Sequence, residues 1–228
     1  MLQHVWERAS ESRYLTSIVI ATDDDRIRDA ARSFGARVIM TRSDHISGTD
    51  RVAEVASTSD AKWVVNVQGD EPTLDPTAID AAILGMLDQE EAHLAPMGTL
   101  KTPLHDASAV LDPNVVKVVT DHHGNAIYFS RSPIPFVREP QNDRQGAVHY
   151  KHIGLYIYER DFLLRYPDLP VGPLEQAERL EQLRAIENGF KIRVVETDYD
   201  SLGVDTPEDW HRVTELFERT ALVRGTKE

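Results

Sequence analysis

Through the first third of the chain, short apolar runs alternate with stretches in which apolar residues recur every three or four positions. Residues 17–22 (Ser-Ile-Val-Ile-Ala-Thr) and 37–40 (Arg-Val-Ile-Met) read as short strands. Between them, residues 24–34 set Ile27, Ala30, Ala31 and Phe34 on one side of a helix that Gly35 closes. The opening Met-Leu-Gln-His-Val-Trp-Glu-Arg starts an amphipathic helix over 2–10. A short helix over 50–57, a strand over 62–70 and a helix over 76–90 with Ile79, Ile83 and Leu87 inward complete the series. Such alternation predicts a parallel sheet with both faces covered.

The pattern then changes. Residues 115–119 alternate, 121–125 (Asp-His-His-Gly-Asn) form a turn and 126–130 return, which predicts a β-hairpin. Residues 137–148, with Arg138, Glu139, Pro140, Gln141, Asn142, Asp143 and Arg144, read as a mobile loop. A strand over 149–158 follows. A helix starts at Pro173, runs to Glu187 and is stopped by Gly189, with Leu174, Ala177, Leu180 and Leu183 on its buried flank. Residues 191–196 are a strand, and a terminal helix begins at Thr206. No repeat, low-complexity tract or linker divides the chain, so residues 1–228 read as one α/β domain.

Chemistry enters where strands end. The strand over 62–70 runs out in Gln68-Gly-Asp-Glu-Pro72, placing an amide and two carboxylates where the chain leaves the sheet. Ligands of open α/β sheets bind at that edge, and a carboxylate there suits a metal-phosphate site. The same residue types also make a plain turn. Leu202-Gly-Val-Asp205 repeats the pattern before Thr206-Pro207, where the bland role of Asp205 is a helix cap. Asp70 and Asp205, 135 positions apart, would meet at one metal ion if their strands share an edge. In the loop Thr41–Arg51, Ser47, Gly48 and Thr49 offer backbone N–H groups at a helix start to a base or phosphate, against an ordinary capped helix with Thr49 or Asp50 as cap.

Net charge and composition remove whole classes of function. A formal charge of −13 disfavours a general nucleic-acid binder, while leaving room for a small anionic ligand held by locally focused Arg and Lys. No apolar run approaches the roughly 20 residues that span a bilayer. With no cysteine there is no disulfide framework and no thiolate zinc site. These features, with no secretory signal visible at Met1, predict a cytoplasmic protein. Arg131 is the best isolated partner for an anionic substrate, because a guanidinium matches a carboxylate in bidentate fashion. Glu178, Glu181 and Gln182 share a helical flank, which is more often a solvated face. His149 and His152, three apart on a strand, point to opposite faces, which argues against a His–His metal pair.

In this order the motifs Thr41-Arg-Ser-Asp-His-Ile-Ser-Gly-Thr-Asp-Arg51, Val65-Asn-Val-Gln-Gly-Asp-Glu-Pro72, Pro113-Asn-Val-Val-Lys-Val-Val119, Tyr128-Phe-Ser-Arg131, Lys151-His-Ile-Gly-Leu-Tyr156, Leu180-Glu-Gln-Leu-Arg184 and Gly203-Val-Asp-Thr-Pro-Glu-Asp209 resemble the 3-deoxy-manno-octulosonate (Kdo) cytidylyltransferases. The resemblance implies a Rossmann-like, glycosyltransferase-A-like nucleotidyltransferase with a mixed sheet and a hairpin region, 113–160, for dimerisation and sugar binding. It implies a homodimer that joins CTP and Kdo to CMP-Kdo and pyrophosphate with Mg²⁺, for lipopolysaccharide assembly. It makes Asp70 and Asp205 the metal ligands, Ser47, Gly48 and Thr49 part of the cytidine site, and Gln68, Arg131, His152, Tyr156, Glu181 and Gln182 the sugar site. Activation of a related sugar acid (8-amino-Kdo or sialic acid) and a non-catalytic, sugar-binding remnant are the alternatives. Family members start with a strand and a loop Pro-Ala-Arg-x-x-Ser-x-Arg-Leu-Pro-x-Lys. This chain begins after it, so the expectation is an N-terminally truncated chain with little synthesis of its own. Residues 17–22 and 64–67 should then show a gap between them, pair directly, or leave the fold marginal.

Overall fold

A computed structural model describes residues 1–89, 94–138, 149–201, 203–204 and 206–225. Helix starts follow local chemistry. Asp24 accepts from the Arg26 N–H at the head of α2 (Asp25–Ser33), and Gly35 takes the positive φ of 84° that ends it. Asp75 caps α4 (Pro76–Leu87), whose first residue is proline. The opening helix α1 (Leu2–Ser10) buries Val5 and Ala9.

Strands β1 (Ile20–Thr22) and β2 (Val38–Met40) pair in parallel as a separate two-stranded sheet. The main sheet holds β3 (Trp63–Asn66), β4 (Met97–Leu104), β5 (Lys117–Thr120), β6 (Ala126–Ser130), β7 (His149–Glu159) and β8 (Ile192–Glu196). Its order is β6-β5-β7-β4-β8, with β3 paired to β7 beside β5. Among the described residues no ladder joins β1 to β3, so these two strands do not pair directly.

Three sequence expectations are corrected. The first half does not build one parallel sheet: β3 runs antiparallel to β7, and among the described residues of the main sheet only β4 and β8 pair in parallel. Strand β4 was not anticipated. The helix over 173–187 is two helices, α7 (Pro173–Glu178) and α8 (Leu183–Glu187), separated at Arg179, which is left-handed at φ 52°. The physical reason is the buried bidentate pair of Arg184 with Glu175, at 2.8 and 2.6 Å. Positions nine apart on a straight helix lie on opposite faces, so the pair requires the break. Leu180 and Leu183 are buried, but Leu174 and Ala177 are exposed. The predicted hairpin is present as β5–β6, and its turn reaches β8 through an Asn125–Arg193 bridge. Of the expected mobile loop, residues 139–148 lie outside the described residues.

The long strand β7 divides two apolar layers. Ile153, Leu155 and Ile157 face Val5, Leu74, Ile79 and Met86 from α1, α4 and the segment before α4. On the other face, Tyr158 packs with Phe129, Phe162, Tyr166 and Leu183, Phe162 coming from α6 (Arg160–Arg165). Burial of these large side chains, at roughly 1.5–3 kcal/mol each, holds the strand exits in place. No helix among the described residues is long and apolar enough to cross a membrane.

Candidate active site

Three segments carry the candidate residues, the first beside the layer of Leu74 and Tyr199 and the other two beside the layer of Tyr158. The first is the exit of β3. Gln68 and Asp70 are half-buried there and Gly69 is exposed, where an added Cβ would touch Leu2 Cδ1 at 3.5 Å. The Asp70 carbonyl accepts from Val204 N at 3.0 Å, which ties this exit to the segment preceding α9 (Pro207–Gly225). Asp205 itself lies outside the described residues. Burial, then the charge of Asp70, pushes the Glu71 carboxyl up to about 7. Tyr199 donates to Glu71 Oε2 at 3.3 Å, and Lys151 Nζ donates to Asp200 Oδ1 at 2.6 Å. Among the described residues the Asp70 carboxylate has no hydrogen-bond or ion-pair partner. Its hard oxygens, crowded by a second carboxylate, suit a divalent cation. No cluster of three or more His, Asp or Glu able to hold a metal is present among the described residues.

The second segment is the start of α3 (Gly48–Ser57). Its cap is Ser47, not Thr49 or Asp50: Ser47 Oγ accepts from Asp50 N at 3.2 Å, and Asp50 Oδ2 accepts from Ser47 N at 3.2 Å. The Ser47 N–H is thus occupied, which leaves Gly48 and Thr49 to present the free helix-start donors. An added Cβ at Gly48 would meet nothing within 4 Å. Asp50 Oδ1 is buried without a partner. The Ser47 hydroxyl donates to Glu181 Oε1 at 3.1 Å, across 134 positions of sequence. Thr49 is buried, and its hydroxyl lies near enough to Glu181 and Tyr158 to favour their charged forms. Burial raises the Glu181 pKa despite the Ser47 hydrogen bond and the nearby Thr49 hydroxyl.

The third segment is β7 with the α7–α8 turn. His152 lies against Tyr156 at 5.5 Å between ring centroids and edge-on to Phe129 at 4.9 Å. Tyr156 is half-buried, and its phenol is pushed well above its ordinary value by burial and by Tyr158, Glu181 and Glu71. It therefore sits between the first segment and the second. Burial, then Lys151, pushes His152 down to about 3, so it is neutral at physiological pH. His149 bonds Pro135 O at 3.0 Å, apart from His152, as the strand spacing required. Gln182 is buried at the start of α8.

Arg131 is placed differently from the other candidates. Its Nε and Nη1 donate to the carbonyls of Glu178 and Pro113, at 2.8 and 3.0 Å. Glu178 in turn accepts from Ser130 Oγ and Arg131 N, so this carboxylate is a fastener rather than part of a solvated flank. Sequence reading missed Thr99, Tyr199 and Lys117. Thr99 and Tyr199 lie outside the motifs, and Lys117 reads as one position of an alternating strand although its side chain is fully buried.

A family model described as Cytidylyltransferase matches residues 1–192. The 3-deoxy-manno-octulosonate cytidylyltransferase of Solibacter usitatus is 63% identical over 97% of this chain and 86% of its own. That of Geobacter sulfurreducens is 52% identical over 94% of this chain and 88% of its own. Among solved structures, a CMP:2-keto-3-deoxy-manno-octonic acid synthetase complexed with CTP is 40% identical, with a TM-score of 0.88 over 96% of this chain and 88% of that one.

Proposed function

From the premise that this chain belongs to the 3-deoxy-manno-octulosonate cytidylyltransferase family, we propose how its residues divide the work of activating Kdo with CTP. The reaction is a nucleotidyl transfer. The anomeric hydroxyl oxygen of Kdo attacks the α-phosphorus, the bond to the β-phosphate breaks, pyrophosphate leaves and the hydroxyl proton is lost. Catalysis of this kind rests on positioning and charge neutralisation. The relatives give no support to another sugar acid or to a non-catalytic role.

The observation that carries the division of labour is the Ser47–Glu181 hydrogen bond, 3.1 Å long. It joins the α3 start, which takes the cytidine with Ser47, Gly48 and Thr49, to the turn that takes the sugar with Glu181 and Gln182. His152 and Tyr156 line the sugar side, with Gln68 at the β3 exit and Arg131 at the far end of the turn. Cytidylyltransferases of this type generally use a divalent metal. Asp70 and Asp205 would hold Mg²⁺, and the Val204–Asp70 bond supports their proximity. Bound there, the ion would neutralise phosphate charge. The chain assembles as a homodimer in this reading, through the hairpin region where Ile127 and Phe136 are exposed.

The test is pyrophosphate release from CTP. It should depend on Kdo and on added Mg²⁺. Asp70→Asn should lower it by orders of magnitude with an unchanged circular-dichroism spectrum. Release by Asp70→Asn at the parent rate would remove Asp70 from the site.

A further inference from the structure

We propose that Thr99 is a positioning residue that fixes His152 as a hydrogen-bond acceptor, so that His152 recognises a hydroxyl of the sugar and not its carboxylate. This inference rests on the reading of His152 as a sugar-site residue.

The argument is a count of protons. Thr99 lies on β4 where its register with β7 shifts: Thr99 faces Tyr156, but Leu100 faces Ile153. Two residues of β7, Gly154 and Leu155, are thereby extruded as a bulge. The Thr99 hydroxyl fills the irregularity, lying 3.0 Å from Ile153 O and 2.9 Å from Leu155 O. It also lies 2.9 Å from His152 Nε2. Thr99 is buried at 1% exposure, so water does not supply a substitute partner. A hydroxyl has one proton. Carbonyl oxygens only accept, so the Thr99 proton is committed to Ile153 O and Leu155 O. The contact with His152 is then satisfied only if Nε2 carries the hydrogen and donates to Thr99 Oγ. In the neutral ring Nδ1 is left with a lone pair. Among the described residues Nδ1 has no hydrogen-bond partner.

The ring cannot easily escape this assignment. Phe129 and Tyr156 pack on it, and Lys151, its neighbour, disfavours a second proton. A lone pair attracts a hydroxyl hydrogen and repels a carboxylate oxygen. Kdo carries several hydroxyls and one carboxylate, and His152 therefore selects among orientations of the sugar. Thr99 touches neither substrate in this scheme and acts through the tautomer.

The test uses the whole chain labelled with ¹⁵N-histidine, read by long-range ¹H–¹⁵N spectra, with Kdo affinity measured by calorimetry. The parent protein should show His152 as the Nε2–H tautomer. Thr99→Val, close in shape, should give a mixture of tautomers and weaken Kdo binding about tenfold, the value of one neutral hydrogen bond. Thr99→Ser retains the hydroxyl and should restore both readouts, which separates positioning from simple packing. An Nδ1–H tautomer in the parent, or an unchanged tautomer in Thr99→Val, overturns the role of Thr99. A tautomer change with unaltered Kdo affinity in both Thr99→Val and His152→Ala overturns the sugar-site reading of His152 beneath it.

Discussion

Removing the Lys117 ammonium tests how the hairpin is anchored to the sugar side of the site. The Lys117 side chain is fully buried, and its Nζ donates to three backbone carbonyls: Asp112 O at 2.9 Å, Val115 O at 2.6 Å and Arg131 O at 2.6 Å. It therefore closes the approach to β5 onto the end of β6. Burial lowers its pKa, with Asp112 and Glu178 opposing the shift. Lys117→Met keeps the length and removes all three donors. Each orphaned carbonyl costs about 1–3 kcal/mol when it stays dry. All three belong to half-buried residues that recover some water, and the desolvation of the ammonium is no longer incurred. The expected net loss is about 2–4 kcal/mol. Urea denaturation should show a lower midpoint with an unchanged slope. Because one carbonyl is that of Arg131, Kdo affinity should fall further than in Ile79→Val, a core control on the opposite face. A loss below about 0.5 kcal/mol would refute the reasoning, since the three bonds would then be worth no more than hydration.

The Glu71 carboxyl, at about 7 when folded and 4.5 as its reference, binds more protons in the native state between those values. Stability of the metal-free chain should therefore fall as pH rises from 4.5 to 7, by about 3 kcal/mol. Glu71→Gln should flatten that fall in chelator-containing buffer, and parallel pH profiles would show the carboxyl is not the cause. Gly85→Ala should destabilise by about 1–2 kcal/mol despite its better helix propensity. The added methyl would collide with the stiff Val195 side chain on β8, and an unchanged thermal midpoint would mean that α4 shifts freely.

Local signals were legible where local chemistry decides. The hairpin over 115–130 followed from its turn residues, and the start of α3 was read within two residues because a hydroxyl and a carboxylate three positions apart cap each other's N–H groups. The direction of β3 was not legible, because an apolar strand reads the same in a parallel or an antiparallel setting. Strand β4 escaped because Gly98, Lys101 and Pro103 interrupt its pattern, while Thr99 and Thr102 are buried polar residues. The break at Arg179 has no glycine or proline to announce it, and its cause, the Glu175–Arg184 pair, is a tertiary contact. The candidate residues came from motifs in order. Their meeting depends on contacts such as Ser47–Glu181 that no spacing rule encodes.

Strand β7 has a further consequence, for the order in which the protein is made. It pairs with β3, β4 and β5, which precede it in the chain. During synthesis those three emerge with no stable neighbour except the short hairpin partner β6. At roughly 5–20 residues per second, the β3 edge waits about 5–20 s on the ribosome before residues 149–159 arrive. The main sheet is therefore assembled in a late, single event around one strand, after which β8 seals β4. A nascent chain stalled before His149 would present the unpaired β7-facing edges of three strands at once, and holding them apart becomes the task of the cell rather than of the sequence.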